Sequence, residues 1–471
     1  MRYFITKWYP TFLLFLLLSG GYLYNSYTPW NSYLLDGKVF WYKLLWKGEK
    51  VGSVQVSYKL LENNIFQVSQ STRVNTTNRG EIVLLVEKEV LNFDMKDSAE
   101  LSSIFYHRQQ DDYIEQTELI KVGDYLQGEK LIQNKPLKIS FKLVSFQLSE
   151  FLALMRWSHQ DPIIGETLQV RRFDLDELTL NPVTYKLIEN TEYGDGYTAE
   201  FHEQGRSWNG FVDLDYTGVP QRFYIGQMVE QQLSTENEAL SDNSQVDYYQ
   251  AQVISIDKPL GNAVKLNSLI LTTTSLSSTD IVNDRRQYWD AKDELHLSNL
   301  RSPKSATKEE LRSYSNHSLV DEHLLELAKT VIGSSEKTEQ KVAKLLAFVS
   351  AYLKDVPVIR PMSLETIIEQ RKGDCTEHTQ LFIALARAVD IPAREVKGLV
   401  YLGDEIQGFG GHVWSEVAID NNWVAVDPTW NLQQLSATHI QLEESGSHSL
   451  LNEMHSNSAL AFSLKSAIYQ Q

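Results

Sequence analysis

Between residues 38 and 231 the sequence consists of short stretches with strand propensity, separated at regular intervals by turn residues. The first stretch covers 38–46, and a second covers 51–61 after a turn that contains glycine. Short strands at this spacing are typical of antiparallel sheets and open barrels. We therefore expect a β-rich domain over 36–232, interrupted by one helical insertion at 148–157 where the apolar residues share one face.

From about residue 319 the period of the apolar residues becomes that of helices. The first apolar stripe ends at Gly333, and glycine is suited to the left-handed conformation that closes helices. A longer helix follows, and a short one over 364–370 leads to Cys375. This part of the chain is therefore expected to be a helix-rich domain that also contains strands.

These patterns divide the chain into five segments and predict an α+β protein. With 471 residues, 42% of them hydrophobic, the chain is long enough for more than one domain and too apolar for a disordered state. The segments are a membrane or signal segment over 1–30, the β-rich domain over 36–232, a linker with bridging strands over 233–318, a second domain over 319–445 and a tail over 446–471.

The N-terminal segment has no charged side chain between residues 8 and 35, and Arg2 and Lys7 precede its apolar run at 12–18. A signal peptide would be cleaved near the small residues that follow this run. An uncleaved anchor would cross the membrane through residues 8–27, with aromatic residues at both ends, and this symmetry favours the anchor. We expect a single-pass inner-membrane protein with an exported, periplasmic body, or a periplasmic protein if the segment is cleaved.

Charge and cysteine count exclude several classes of function. The chain has 44 Lys and Arg against 61 Asp and Glu, a net charge of −17, so nucleic acid is not an expected partner. Its single cysteine, Cys375, excludes an internal disulfide and a multi-thiolate zinc site. The sequence carries neither a metal-binding motif nor a phosphate-binding loop, and no cofactor is expected.

Cys375 lies where a helix is predicted to begin. Asp374 and Glu377 have the spacing of a capping box, which places Cys375 in the first turn. The positive end of the helix dipole would then lower the thiol pKa and favour a nucleophilic thiolate. A buried structural cysteine is the more common role of a single cysteine, and it remains open on this observation alone.

Two later strands carry the residues that could activate this thiol. A two-residue turn at 420–421 would make them a hairpin in which Asp427 is the diagonal neighbour of His412 on the same face. The glycines at 408–411 are expected to form an open loop that gives access to His412. With Cys375, this arrangement supplies the nucleophile, the base and the orienting carboxylate of acyl-transfer chemistry.

Four motifs in this region resemble the core of the transglutaminase-like superfamily, the circularly permuted relatives of papain. They are KGDCTEH at 372–378, IPAR at 391–394, GHVWSE at 411–416 and WVAVDPT at 423–429. The resemblance covers roughly 319–442 and implies an α/β domain with Cys375 on a helix against a sheet that carries His412 and Asp427. The preceding region resembles the β domain found before exported bacterial modules of this type, which implies no activity.

Three further residues are candidates for support of the site. The resemblance implies a side-chain donor to the oxyanion, a Gln or Trp in relatives, and Gln370 is the candidate here, beside the Cys375 backbone N–H. Trp414 is expected as a wall of the cleft or as core. Glu416 would either order the site, since it alternates onto the His412 face, or be a solvated strand residue.

The sequence thus predicts an exported thiol enzyme that cleaves or transfers acyl groups at amide bonds of peptides or proteins in the cell envelope. Cys375 would attack the carbonyl, His412 would carry the proton and Asp427 would orient the imidazole. Hydrolysis is favoured over cross-linking because bacterial members of the superfamily are often protease-like. The alternative is a non-catalytic envelope protein whose transglutaminase-like fold and β domain bind proteins or peptides.

Overall fold

The computed structural model describes residues 35–470 with short gaps at 97, 144, 175–178, 191–195, 205–208, 226–228, 244–245, 248, 251–252, 274–275, 301–303, 315–321, 335–336, 359–361 and 444–460. The chain divides into two compact units, Met1–Asp247 and Tyr248–Gln471. The expected signal segment at 1–30, with its membrane span at 8–27, lies outside the described residues. None of the described helices has the length and apolar character needed to cross a membrane.

The first unit is built almost entirely from antiparallel strands. The strands are β1 (Val39–Trp46), β2 (Glu49–Leu60), β3 (Ile65–Asn78), β4 (Glu81–Asp94), β5 (Glu100–Gln110), β6 (Tyr113–Val122), β7 (Tyr125–Ile132), β8 (Lys135–Lys142), β9 (Thr167–Asp174), β10 (Thr179–Asn190), β11 (Tyr197–Glu203), β12 (Asn209–Leu214), β13 (Pro220–Ile225) and β14 (Val229–Ser234). The helices are α1 (Leu148–Phe151), α2 (Ala153–Ser158) and α3 (Glu236–Ala239).

In the described chain these fourteen strands form one sheet, in the order β8-β7-β6-β5-β4-β3-β2-β1-β14-β13-β12-β11-β10-β9. The predicted β-rich domain is therefore present. The helical insertion expected at 148–157 is present as two short helices, α1 and α2, which meet at Leu152. Phe151 of α1 packs on Phe93 with ring centroids 5.5 Å apart, so the insertion contributes to the core of the sheet. The edge strands β8 and β9 approach each other through Phe141 and Phe173, at 5.4 Å.

The second unit combines a mixed sheet with a layer of helices. Its strands are β15 (Ile254–Ile256), β16 (Leu266–Thr273), β17 (Gln287–Trp289), β18 (Leu295–Ser298), β19 (Lys304–Ser305), β20 (Lys354–Asp355), β21 (Lys372–Gly373), β22 (Ala393–Tyr401), β23 (Gly408–Ile419), β24 (Asn422–Val426), β25 (His439–Gln441) and β26 (Ala461–Tyr469). Its helices are α4 (Lys308–Tyr314), α5 (Glu322–Ile332), α6 (Thr338–Tyr352), α7 (Leu364–Gln370) and α8 (Cys375–Ala388).

The main sheet of this unit has the order β17-β18-β16-β26-β15-β23-β22-β25, and β24 pairs with the second half of β23. Two expected boundaries differ from this arrangement. The segment 233–318, expected as a linker with bridging strands, contributes β15 to β18 to the sheet. The segment 446–471, expected as a tail, contributes β26, which pairs with β15 and β16. Local sequence patterns do not reveal such partners because they are remote in the chain.

The two faces of β23 have different neighbours because successive side chains of a strand point to opposite sides. One face packs against the helices: Val417 belongs to a core cluster with Leu381, Phe382 and Leu385 of α8. The opposite face carries Trp414, which packs with residues of β22 and β24 in a separate cluster. His412 has the same parity as Trp414 and therefore lies on this second face.

Candidate active site

Cys375 is the first residue of α8, as the sequence predicts. The Asp374 carboxylate accepts from the Thr376 N–H at 2.9 Å and caps the helix. The Glu377 carboxyl in turn accepts from the Asp374 N–H at 2.9 Å, so the predicted capping box is present. This reciprocal pair satisfies backbone donors that an α-helix leaves without an internal partner. It therefore fixes the position of the thiol relative to the helix axis.

A break in the strand pairing of β23 brings α8 to the edge of the sheet. On the side away from β22, β15 pairs with β23 up to Phe409, and β24 pairs with it from Ser415 onward. Between these positions the helix supplies the partners. The Thr379 hydroxyl donates to the Val413 carbonyl at 3.2 Å, and the Val413 N–H donates to the sulfur of Cys375. The Cys375 thiol is thus held against the strand that carries His412.

The hairpin of β23 and β24 brings His412 and Asp427 together. Its register pairs Ile419 with Asn422 and continues to Ser415 and Val426, which confirms the predicted two-residue turn. Asp420 and Asn421 both have positive φ, 49° and 60°, as a type I′ turn requires. The chain leaves the sheet after Val426, yet the His412 Nε2 lies 2.8 Å from the Asp427 Oδ2.

The hydrogen bonds assign the two nitrogens of His412 to different partners. Nε2 faces the Asp427 carboxylate, and a second hydrogen bond joins the imidazole to Cys375, which leaves Nδ1 for the sulfur. The Asp427 Oδ1 accepts from the Thr429 N–H at 2.9 Å, so the carboxylate is itself held in place. The structure therefore brings the three residues that the sequence names as nucleophile, base and orienter into one hydrogen-bonded series.

The charges of the series are coupled. Burial by itself lowers the pKa of His412, but the charge and hydrogen bond of Asp427, with a smaller contribution from Cys375, raise it to about 10. Burial likewise opposes the ionised form of Asp427, and His412 and His439 nevertheless hold the pKa of this carboxyl well below its usual range. The imidazolium and the carboxylate therefore form a buried ion pair, in which each partner stabilises the charge of the other.

The expected lowering of the thiol pKa is wrong for this structure. Cys375 keeps part of its surface exposed, but its neighbours Asp374, His412 and Val413 are buried. Burial is the largest influence and raises the pKa of the Cys375 thiol, and the negative charge of Asp374 adds to this. The hydrogen bond and charge of His412 act in the opposite direction without reversing it. The capping residue that starts the helix thus opposes the thiolate that the helix dipole favours.

Comparison with known proteins finds a family model that matches the part of the chain around Cys375. The model of the transglutaminase-like superfamily matches residues 325–428, a range that contains Cys375, His412 and Asp427. These residues form a transglutaminase-like domain. The chain has no significant match among curated proteins.

Three solved structures are similar to parts of the chain at low identity. A candidate cysteine protease from Cytophaga hutchinsonii is 14% identical, with a TM-score of 0.25, over 44% of this chain and 86% of that protein. A DUF1089 family protein from Pseudomonas aeruginosa is 11% identical, with a TM-score of 0.21, over 43% of this chain and 96% of that protein. A candidate protease from Parabacteroides distasonis is 12% identical, with a TM-score of 0.20, over 79% of this chain and 70% of that protein.

Aromatic rings enclose the imidazole of the transglutaminase-like domain. Trp414 is fully buried beneath His412, at 6.0 Å between ring centroids. Trp430 also stacks on the His412 imidazole, at 4.6 Å between ring centroids, and keeps 45% of its surface exposed. Trp414 thus lies in the core below the site, whereas Trp430, which the sequence analysis did not single out, covers His412 from the solvent side.

The other two predicted support residues, Gln370 and Glu416, lie on different elements, α7 and β23. Gln370 ends α7, the helix that leads to Cys375, and its carboxamide is buried with no hydrogen-bond partner among the described residues. Glu416 is neither solvated nor bonded to His412: it is buried and accepts from the Arg394 Nε at 2.7 Å. It therefore fixes two strands of the sheet, β22 and β23, to each other.

The glycines at 408–411 do not form the expected open loop, because they begin β23 and lie between neighbouring strands. A Cβ at Gly408 would lie 2.3 Å from the Val253 side chain, and one at Gly410 would lie 2.8 Å from the Leu402 side chain. The glycines thus allow close packing of the sheet rather than access to His412.

A second histidine, His439, meets the site from β25. Its Nε2 lies 3.4 Å from the Asp427 Oδ2, so donor atoms of His412, Asp427 and His439 lie within 4.8 Å of one another. Both Nε2 atoms donate a proton to the Asp427 carboxylate in this arrangement, so neither offers a lone pair to a metal ion. No sequence motif marks His439, since it follows the last family-like motif and reaches the site only through strand pairing.

Proposed function

We propose that the transglutaminase-like domain catalyses acyl transfer from amide bonds of peptides or proteins, through a covalent intermediate on Cys375. The observation that carries this proposal is the hydrogen-bonded series from Cys375 through His412 to Asp427. A thiol needs a base within hydrogen-bond reach, and the base needs a third group that fixes its orientation. The helix start, the gap in the β23 pairing and the hairpin register together supply these positions.

In the proposed reaction, the Cys375 thiol loses its proton to water, and the thiolate, paired with the His412 imidazolium, attacks the carbonyl carbon. The resulting oxyanion is stabilised by the Cys375 N–H and by the Gln370 carboxamide, whose buried donors have no other partner among the described residues. The C–N bond then breaks, and His412 protonates the leaving amine. A second nucleophile gives its proton to the now neutral His412 and attacks the thioester, which releases the Cys375 thiolate and restores the imidazolium.

We propose water as this second nucleophile, so that the net reaction is hydrolysis. Cys375 keeps part of its surface exposed, and Trp430 covers His412 while remaining 45% exposed itself. An acyl group on Cys375 would therefore be in contact with solvent. Amine transfer is favoured only where water is kept out of the site.

We further propose that the chain is exported and remains attached to the inner membrane through residues 8–27, so that its substrates are peptides or proteins of the cell envelope. The uncharged N-terminal segment behind Arg2 and Lys7 supports this location. The mass of the protein purified from membranes tests it. A chain that begins near residue 22 would exclude the anchor.

A non-catalytic binding role in the envelope is the second candidate. The observation that favours it is the raised pKa of the Cys375 thiol, since a protonated thiol is a weak nucleophile. In this role the folded domain would bind a peptide without cleaving it, and substitution of His412 would leave the reactivity of the thiol unchanged.

Labelling of the full-length protein with a thiol-selective electrophile separates the two candidates. Cys375 is the only cysteine, so all labelling reports on this site, and Cys375→Ala is the blank. We expect His412→Ala to lower the labelling rate. His296→Gln is the matched control, because His296 lies on β18, which is separated from β23 in the sheet, and its imidazole pairs with Asp290. Equal rates in wild type and His412→Ala would exclude the thiol enzyme.

A substrate assay distinguishes hydrolysis from amine transfer. Casein incubated with a fluorescent amine should yield cleaved or deamidated protein rather than amine-labelled protein.

A further inference from the structure

His439 contacts the same carboxylate oxygen of Asp427 as His412 does. The Asp427 Oδ2 is shared by two imidazoles, with the His412 Nε2 at 2.8 Å and the His439 Nε2 at 3.4 Å. Asp427 is fully buried and His439 is 1% exposed, so solvent does not substitute for either contact. His439 lies beyond residue 428, outside the part of the chain that the family model matches.

The neighbours of His439 determine which nitrogen carries its proton. An ionised carboxylate only accepts hydrogen bonds, so the nitrogen that faces Asp427 must be the donor. The other nitrogen, Nδ1, lies 3.0 Å from the Thr438 hydroxyl, which in turn lies 2.9 Å from the Ser436 hydroxyl. In a neutral imidazole Nδ1 then accepts from Thr438. The side chain is thus held as a neutral donor aimed at Asp427.

Two further contacts keep His439 neutral and in place. The buried Arg286 guanidinium donates to the His439 carbonyl, and its positive charge opposes a second proton on the ring. Burial is the larger influence, and together with the charges of His412 and Arg286 it lowers the pKa of His439 to about 4 although Asp427 acts in the opposite direction. Trp414 packs edge-on against the ring at 5.2 Å between centroids.

We propose that His439 is a positioning residue of the site: its Nε2–H holds Asp427 in the orientation that pairs with His412. The proposal rests on the acyl-transfer function proposed above. Without this donor, the Asp427 Oδ2 would have one imidazole partner instead of two, and the carboxylate could rotate away from His412. The imidazole would then lose the partner that keeps it hydrogen bonded to Cys375.

The test measures how fast iodoacetamide alkylates Cys375 in the full-length protein as a function of pH. His439→Leu removes the donor, whereas His439→Gln keeps an N–H at a similar distance from the backbone. We expect His439→Leu to react about tenfold more slowly at neutral pH, which is a shift of about one unit in the thiol pKa. His439→Gln should react at nearly the wild-type rate, and His296→Gln again serves as the remote control.

Two results would overturn the proposal. The first is a folded His439→Leu protein whose alkylation rate depends on pH as in wild type. The second is an equal loss of alkylation rate in His439→Leu and His439→Gln, which would assign the effect to packing. If His439→Leu does not fold, Thr438→Val removes the hydroxyl that faces Nδ1 and keeps the side-chain shape. It should shift the profile in the same direction by a smaller amount, and an unshifted profile would also count against the proposal. His412→Ala is measured in parallel, because a wild-type profile in that variant rejects the proposed function itself.

Discussion

At the residue scale, two neighbours of Cys375 change the pKa of its thiol in opposite directions. Asp374 stabilises the start of α8 as its N-cap, and the same negative charge disfavours a thiolate one residue away. His412 favours the thiolate through its charge and hydrogen bond. The reactivity of the thiol is therefore set by a balance that single substitutions can shift either way.

Asp374→Asn should make the thiol more reactive at neutral pH. Asparagine caps helices about as well as aspartate, so α8 keeps its start while a negative charge is removed. The pKa of the Cys375 thiol should fall, and the midpoint of its alkylation should move to lower pH. Asp290→Asn, in the β17–β18 region, is the matched control and should leave the midpoint unchanged. A midpoint that stays in place or rises in Asp374→Asn would contradict the assigned role of this charge.

The two histidines at Asp427 should make the stability of the second unit depend on pH. The folded pKa of His412, about 10, exceeds its ordinary value of about 6.5, so its contribution is complete below pH 6.5 and is lost as the pH rises towards 10. His439, with a folded pKa of about 4, opposes folding as the pH falls from 6.5 to 4. Urea unfolding should therefore give greatest stability near neutral pH, with a weaker alkaline decline in His412→Gln. An equal decline in both proteins would count against the ion pair.

At the element scale, the site depends on the close approach of three strands. Gly398 of β22 lies opposite His412 of β23 and opposite Gln441 of β25. A Cβ at this position would lie 2.6 Å from the Trp414 ring and 2.0 Å from the Ile440 carbonyl. Glycine is therefore required for β25 and Trp414 to pack against β22 as they do.

Gly398→Ala should lower the stability of the protein by about 1 to 3 kcal/mol, the usual cost of overpacking a core. It should also slow labelling of Cys375, because Trp414 packs against both imidazoles at Asp427. Ser415→Ala on β23 is the control: its buried hydroxyl has no partner in the described chain, so its removal should not destabilise. Chemical denaturation and labelling rates measure both effects, and a Gly398→Ala protein as stable as wild type would disprove the packing argument.

The elements also show which features local sequence determines. The turn at Asp420 and Asn421 fixes the hairpin register, and the capping box fixes the start of α8, so Cys375, His412 and Asp427 could be named from sequence. His439 could not, because it enters through pairing between β22 and β25. The raised thiol pKa was missed because burial, which sequence does not give, outweighs the helix dipole.

At the scale of the whole molecule, each of the two units encloses charged side chains as well as apolar clusters. The second unit encloses the His412–Asp427 pair and the Arg394–Glu416 pair, and the first unit encloses ion pairs within its large sheet. Glu115 of β6 is buried and pairs with Arg108 at 2.5 Å, and with Lys130 of β7. The Tyr113 hydroxyl also donates to this carboxylate at 2.9 Å. The β domain therefore depends on a buried carboxylate as well as on its apolar cluster.

Glu115→Ala should destabilise the protein by about 3 to 5 kcal/mol, because it removes a buried carboxylate that pairs with both Arg108 and Lys130. Glu118→Ala on the same strand is the matched control, since Glu118 is exposed and should contribute little. Thermal unfolding followed by circular dichroism would measure the difference. Similar transitions in the two variants would mean that the ion pair does not support the sheet.

The position of β26 determines when, during synthesis of the chain, the second sheet can be completed. This strand is made after every other described strand, yet it lies inside the second sheet, parallel to β15 and antiparallel to β16. The ribosome must therefore finish 461–469 before the strands on either side can be joined. While the chain is still growing, Cys375 and His412 are already made but the sheet beneath them is incomplete. The second unit can therefore complete its sheet only after synthesis has passed residue 469, later than the residues of the candidate site are made.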